Sequence, residues 1–553
     1  MLQAFEYPRF DYAPSPDEGA EPPARHAVVI VGAGPIGLTA ALDLARRGRR
    51  VVVIDDDDTV SVGSRAICWS KRTLEICDRL GLADGLISKG VRWSKGRVFF
   101  QDRELYDFDL LPEAGHYAPA FVNLQQYHFE MAAVEAAQAH PLIELRWRNR
   151  LVDVAPGDEQ TPARVTVETP EGRHRLDVDW LLACDGAKSP TRKALGLDFE
   201  GRVFQDRFLI ADVVMTADFP TERWFWFDPP FNPGRSALLH KQADDVWRID
   251  LQLGWDADPE EEKKPERVIP RLKAMLGEDA SFELEWVSVY TFQCRRLERF
   301  RSGRVLFVGD SAHQVSPFGA RGGNGGVQDV DNLGWKLDLV LRGAAPKALL
   351  DSYDVERGWG ADENIANSTR ATDFITPKSQ ASRDFRDATL ALAARFDFAR
   401  RLVNSGRLSQ PASLEASPLT TPDEAGERFD APMRPGAACL DAPIRDTAGR
   451  EDWLLRALAR ADGFVLLAAP ALDDPDGASV DAAAAALDPP AQALVMGRDF
   501  EDSEGLVAAR YDLTPGACYL IRPDQHAAAR FRTLSATRLR PAQDRALARG
   551  KEA

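Results

Sequence analysis

Apolar residues along this chain follow two rhythms: short unbroken or alternating runs of strand length, and threes-and-fours that predict helices. Residues 27–31 form an apolar run that stops at Gly32. Ala and Leu then recur at helical spacing over 35–47, with Gly48 as the stop, and 50–54 reads as a second strand. Residues 67–80 predict a helix closed by Gly81, and a further helix opens within 123–130 and runs to about 140. The segments 143–147, 163–168 and 173–178 alternate as strands, and 180–184 is a buried strand that runs into Asp185-Gly186. From 201 to 294 the pattern is dominated by strands, at 208–215, 223–227, 236–240, 246–253 and 282–290, interrupted by a charged connection and a helix over 266–276. Residues 305–308 are again an apolar strand that stops at Gly309; a glycine-rich loop leads from there to a helix beginning near Gly326, and helical spacing continues to about 408.

Composition narrows the class. The 553 residues suffice for two or three domains, and 44% hydrophobic with 28% charged residues is globular. A formal charge of −17 argues against nucleic acid as a partner, and no apolar run is long enough to span a membrane. The six cysteines are scattered without Cys-x-x-Cys, which fits reduced thiols in a cytoplasm, and the eight histidines show no paired ligand spacing, so no metal is expected. Residues 409–430 are rich in Ser, Pro, Thr, Glu and Asp and read as a linker, and residues 1–25 as an N-terminal arm without a signal peptide.

Three turns carry candidate chemistry. Gly32-x-Gly34-Pro35-x-Gly37 lies between a strand and a helix, with Asp55 at the end of the next strand, 23 residues after Gly32. That arrangement is the dinucleotide fingerprint, with the acid placed for ribose hydroxyls; it does not by itself choose between FAD and NAD. The acidic run Asp56–Asp58 reads as a solvated turn. Asp185-Gly186, followed by Ser189 and Arg192, ends a second strand. The third turn is Gly309-Asp310-Ser-Ala-His313, followed by Pro317 and by Gly322, Gly323 and Asn324, and its helix N-terminus holds about half a positive charge that favours anions.

In these three turns the chain resembles the class A flavin monooxygenases, the family of para-hydroxybenzoate hydroxylase, phenol hydroxylase and 3-(3-hydroxyphenyl)propionate hydroxylase. The resemblance implies an α/β fold. A Rossmann-like FAD-binding domain (26–200 and 295–408) would be interleaved with an antiparallel β-sheet substrate domain (201–294, joined by part of 85–130), and a thioredoxin-like C-terminal domain (431–545) would serve packing or dimerisation. It implies FAD contacts at Gly32, Gly34, Pro35, Gly37, Asp55, Arg65, Gln126 (with Gln125 as a rival), Asp185, Gly309, Asp310, Pro317, Gly322, Gly323 and Asn324. It also implies NADH or NADPH as a co-substrate that docks transiently, and O2 that adds at flavin C4a as a hydroperoxide and hydroxylates a phenolic ring. The candidates for the proton-handling role are His240, Arg248 and Tyr290, and Arg321 either steers an acidic substrate or pairs with a carboxylate. The aromatic run 224–227 reads as core that also lines a pocket in part. Two alternatives stay open: a flavin reductase or dehydrogenase on the same fold without oxygen insertion, and a non-enzymatic partner protein.

Overall fold

Five parallel strands form the spine of the first sheet. Ala24–Val31 lies between Gly172–Ala183 and Val51–Ile54, with Val305–Phe307 and Ile143–Arg146 outside them. Val28 to Val31, Val51 to Ile54 and Val305 to Phe307 are buried, which is why these strands read as unbroken apolar runs. The computed structural model describes residues 5–403 and 410–550, so the expected helix end near 408 and linker start at 409 lie outside the described residues. Helix Pro35–Arg46 covers the sheet and packs against helices Gln126–Ala139 and Gly322–Leu341.

The second sheet has eight strands, in the order His313–Gln314, Glu283–Arg296, Glu200–Val214, Val246–Gln252, Ser236–Lys241, Arg223–Phe227, Lys95–Phe100 and Arg103–Asp109. All its pairs are antiparallel except Arg223–Phe227 with Lys95–Phe100. Directly paired residues share a face of the sheet. The register pairs Arg248 with both Asp212 and His240, and Asp212 with Trp286. One face therefore carries Asp212, Trp286, Tyr290, Arg248, Asp250, His240 and Arg223. The other carries Leu209, Ala211, Trp224, Trp226, Trp247 and Ile249, packed on helix Pro265–Leu276.

Four local expectations change. The first turn of the helix expected over 67–80 is a strand, Cys68–Ser70, held between helix and sheet by pairing with Phe121–Asn123; the helix itself spans Lys71–Arg79. The strands expected at 173–178 and 180–184 are one continuous strand, Gly172–Ala183, and Arg150–Ala155 adds a further strand beside Ala163–Thr169. Glu200–Val214 and Glu283–Arg296 run well beyond their apolar cores, with a register shift between Val203 and Arg207. The glycine-rich stretch is not a loop: the helix begins at Gly322, because tertiary packing overrides the low helix propensity of Gly322, Gly323, Gly325 and Gly326.

The C-terminal region centres on a four-stranded sheet, ordered Gln492–Val495, Val465–Ala468, Cys518–Ile521 and Ala527–Phe531, with its first pair parallel and the rest antiparallel. Residues 410–430 form no regular element, yet they are tied down: Leu414 N–H donates to Gly436 O at 2.9 Å and Thr421 N–H to Ala528 O at 2.8 Å. This region grips helix Gly322–Leu341 through buried charge. Arg522 donates to both oxygens of Glu356, at 2.7 and 3.0 Å, and its Nε to Asp524 at 3.0 Å. Lys336 donates to Glu356 at 2.7 Å, and Trp335 Nε1 to Asp524 at 3.1 Å.

The N-terminal arm is packed from residue 5 onward. Phe5 stacks on Tyr127 and Phe10 on Trp147, each with ring centroids 4.4 Å apart. Tyr7 Oη accepts from Gly63 N–H at 3.0 Å, and Phe10 N–H donates to Asp58 O at 2.7 Å.

Burial opposes charge on Glu356, but Arg522 and Lys336 outweigh it and hold the carboxyl far below the usual range. Arg522→Ala is expected to destabilise the protein by about 3–5 kcal/mol, because it leaves buried carboxylates without their guanidinium. Glu356 is depressed on folding, so its contribution is present above its ordinary value of about 4.5 and is lost as pH falls through the lower folded value. The gap between wild type and R522A in chemical denaturation should therefore be full at neutral pH and shrink in acid.

Candidate active site

A cavity of about 700 Å³ opens where the two sheets meet. Its floor is built at the C-terminal ends of four parallel strands, which deliver Val31, Ile54, Cys184 and Val308 to the wall together with the turns that follow them. In open α/β sheets this edge is where ligands bind. Its roof is the polar face of the second sheet.

Of the residues expected at a cofactor, Gly32, Gly34, Pro35, Asp55, Arg65, Gln126, Asp185, Asp310, Pro317, Gly322, Gly323 and Asn324 line this single hollow. Gly37 and Gly309 do not line it; they let backbones approach behind it. Gly32 has φ +103°, and a Cβ there would sit 2.6 Å from Cys184 O. A Cβ on Gly37 would sit 1.8 Å from Gly32 O, so helix Pro35–Arg46 can start this close to the strand only without a side chain. Gln125 turns away and donates to Ala243 O at 3.0 Å, whereas Gln126 Oε1 accepts from Ala66 N–H at 3.0 Å beside the cavity.

The acids on the floor differ in how they are satisfied. Asp55 accepts from Ala33 N–H and Asp57 N–H, yet burial pushes it up to about 6. Asp185 Oδ2 accepts from Thr191 N–H at 2.9 Å, while its Oδ1 is buried without a partner. Burial raises Asp185 and Asp310 from their ordinary value. Asn324 staples its helix to the strand Cys68–Ser70: its Oδ1 accepts from Ser70 N–H at 2.9 Å and Thr73 Oγ1 at 2.6 Å, and its Nδ2 donates to Cys68 O at 2.8 Å. The under-bonded Asp185 carboxylate, the glycine cradle and the open N-terminus of helix Gly322–Leu341 fit a hydroxyl-bearing, anionic dinucleotide such as FAD.

On the roof, Arg248 is fully committed. It forms a two-pronged pair with Asp212, at 2.7 Å through both Nε and Nη2, and donates to the carbonyls of Ser64 and Arg65. It therefore fixes the loop carrying Arg65 and cannot serve as a base. His240 is buried; its Nδ1 lies 3.9 Å from Cys68 Sγ and its Nε2 has no partner. Burial, with Arg223 and Arg248 nearby, holds the His240 imidazole well below its usual value, so the ring is neutral. Tyr290 is 37% exposed, and burial of its hydroxyl region followed by the Asp310 charge raises it. Arg321 lines the wall and donates to Phe318 O. Trp224 and Trp226 face away, so of the run 223–227 only Arg223 reaches the cavity.

Sequence reasoning did not single out Arg223, Asp250 or Trp286, all of which line the cavity. The polar–apolar alternation of Arg248, Ile249, Asp250 and Leu251 was the available signal, since it puts Asp250 on the same face as Arg248.

Comparison with known proteins agrees with this geometry. The chain is 37% identical over 340 residues to 6-methylpretetramide 4-monooxygenase of Streptomyces rimosus, covering 60% of this chain and 58% of that protein. The chain thus spans less than two thirds of that relative's length. It is 30% identical over 348 residues to para-nitrophenol 4-monooxygenase of Pseudomonas sp. strain WBC-3, covering 60% of this chain and 82% of that protein. Its fold matches the crystal structure of the flavin-dependent monooxygenase PieE in complex with FAD and substrate, with TM-score 0.79 and 22% identity over 95% of this chain and 99% of that one. The FAD binding domain model matches residues 25–368, and the chain belongs to that family.

Proposed function

We propose that this protein is an FAD-dependent monooxygenase that uses NADH or NADPH and O2 to hydroxylate a phenolic aromatic ring. The observation that carries the reading is the juxtaposition in one cavity of a dinucleotide-type floor, with Gly32, Asp55, Asp185 and Asp310, and a polar roof, with Arg223, His240 and Asp250. The relatives' names, two of them monooxygenases at 37% and 30% identity, support it. An oxygen-free reductase would share the floor, but the relatives' names do not favour it.

When bound, FAD supplies the hydride acceptance and the oxygen activation. The protein's own residues do the rest. Gly32, Gly34 and Pro35 let the pyrophosphate approach the start of helix Pro35–Arg46, where the strand-turn-helix supports a Rossmann-like reading. Asp55 would take the adenosine ribose, and Asp310 and Asp185 would accept from the cofactor's hydroxyls. Pro317, Gly322 and Gly323 would lie beside the flavin ring, and the N-terminus of helix Gly322–Leu341 would favour negative charge there. Arg248 with Asp212 holds Ser64 and Arg65 in place, and the roof sheet keeps water out. The nicotinamide nucleotide would dock transiently, as only one Gly-x-Gly-x-x-Gly is present. The order of the C-terminal four-stranded sheet supports a thioredoxin-like domain, without Cys-x-x-Cys, and its place is in packing and in a homodimer. All six cysteines are buried and free, in keeping with a cytoplasmic protein.

Purified protein should be yellow, and phenols or phenolic acids should accelerate flavin reduction by NADH or NADPH, with one atom of isotopically labelled O2 found in the product. Label absent from every product, with flavin reduction indifferent to phenols, would leave the reductase alternative. Asp310→Ala should weaken FAD binding by roughly ten- to hundredfold, since a hydrogen bond to a charged group is worth about 1.5–3 kcal/mol. Flavin fluorescence titration of the apoprotein checks it.

A further inference from the structure

The roof contains three side chains whose hydrogen-bonding atoms the protein itself leaves unused. Arg223 is buried, its Nε has no partner, and the hydrogen bond the structure gives its side chain is the weak one to Cys68 Sγ at 3.8 Å. His240 Nε2 has no partner. Asp250 makes no side-chain hydrogen bond or ion pair among the described residues, and its Oδ1 is sequestered without one. All three line the cavity. Leaving a polar side chain under-bonded costs about 1–3 kcal/mol, and more for a charged group, so three such side chains on one wall mark where a ligand's polar group goes.

The chemistry of the three atoms selects that group. The Arg223 guanidinium can only donate, and the Asp250 carboxylate, whose Oδ2 is neither bonded nor sequestered, can only accept. A ligand carboxylate would satisfy Arg223 but meet the charge of Asp250. A ring hydroxyl satisfies both: it gives its proton to one and takes a hydrogen bond from the other. We propose, on the reading that the substrate is a phenol, that Asp250 is the catalytic residue that accepts the phenolic proton, with Arg223 holding the oxyanion that results.

In this step the phenolic O–H bond breaks and an O–H bond forms on the Asp250 carboxylate. The electron pair stays on the phenolic oxygen, where it activates the ring, and nothing is oxidised or reduced. Negative charge moves from carboxylate to phenolate beside two guanidiniums, so the charge of the cavity is conserved. His240, neutral and adjacent, completes the hydrogen bonding of the hydroxyl.

The groups around Asp250 are Arg248, Asp212 and Tyr290 on the roof strands, Arg223 and His240 on the strands beyond, Cys68 at the wall, and Arg65 and Asp310 across the hollow. Burial raises the Asp250 carboxyl, Arg248 and Arg223 pull it back, and the balance lies at about 6. That is the range in which a general base works at neutral pH.

The test measures product formation by holoprotein with phenol, its mono- and difluorinated derivatives and 4-nitrophenol, for wild type, Asp250→Asn, Asp250→Glu and His240→Asn. Flavin content and the unfolding midpoint confirm that each variant is folded. In wild type the rate should fall as pH drops through about 6, as Asp250 takes up a proton. Asp250→Asn should lose that limb and be slower by about 10²–10⁴-fold on phenol. Its defect should narrow steadily as the phenol becomes more acidic, because a substrate that ionises by itself needs no base, and Asp250→Glu should recover part of the rate. A defect of equal size for every phenol, or an acid limb kept in Asp250→Asn and lost in His240→Asn, would overturn the assignment. Turnover of no phenol at all, in a variant set that still binds FAD, falls on the phenol-substrate reading and removes this role with it.

Discussion

Helix Gly322–Leu341 is buried along almost its whole length although it carries Asp329, Asp331, Asn332, Lys336 and Asp338. A buried charge is tolerable only when paired and hydrogen-bonded, so each of these side chains dictates a neighbour. Asp329 takes His313 at 2.6 Å, Arg357 at 2.6 Å and the Gly309 N–H at 3.0 Å, which locks the turn carrying Asp310 onto the helix. Asp331 takes Arg72 at 2.9 Å and Arg79, which locks helix Lys71–Arg79. Lys336 and Asn332 take Glu356, and Glu356 takes Arg522. The geometry at the helix N-terminus, where the cavity lies, is thus set by ion pairs that extend into the C-terminal region. That region contributes rigidity to the site without contributing a wall to it.

The second sheet solves a different problem with the same economy. Strict alternation sends Trp224, Trp226, Trp247, Ile249 and Leu251 to one side, where they pack on helix Pro265–Leu276, and Arg223, Arg248 and Asp250 to the other. A one-residue slip would exchange the two sets, so the apolar side fixes the register for the polar one. Arg248 shows the division of labour: paired with Asp212 and bonded to the carbonyls of Ser64 and Arg65, it joins roof to floor. Arg223 and Asp250, left without strong partners, keep their bonding capacity for what enters between.

Much of the floor was legible in the chain before any coordinates, because its turns are local: Gly32 to Gly37, Asp185-Gly186 and Gly309-Asp310 are each specified by glycines and acids within a few residues of a strand end. The roof was less legible. Alternation in 246–253 was plain, but which face met the cavity depended on pairing with Glu200–Val214 and Ser236–Lys241, a long-range fact. Asp250 is therefore not legible from the sequence, although Arg248, two residues earlier, is a candidate there. The helix start at Gly322 was placed late for the opposite reason: local propensity argued against glycines in a helix, and the close contact of Gly326 with Ile36 and Gly309, which excludes any side chain there, outweighed it. The short strand Cys68–Ser70 is hidden because the apolar pattern of Leu74, Ile76 and Leu80 just after it reads as helix across the whole of 67–80.

The N-terminal arm lies outside the matched family segment of residues 25–368, yet it leans on the site. Tyr7 receives the Gly63 N–H, and Gly63 itself backs so tightly onto Trp286 that a Cβ there would be 2.3 Å from the indole nitrogen. The next residue, Ser64, is the one whose carbonyl Arg248 holds. A fusion partner attached ahead of this arm, or a shortened chain begun at the family boundary, would thus be felt at Gly63, 56 residues beyond Tyr7, and through it at the Trp286 indole on the cavity wall. Whoever trims this protein for convenience would be editing its active site from behind.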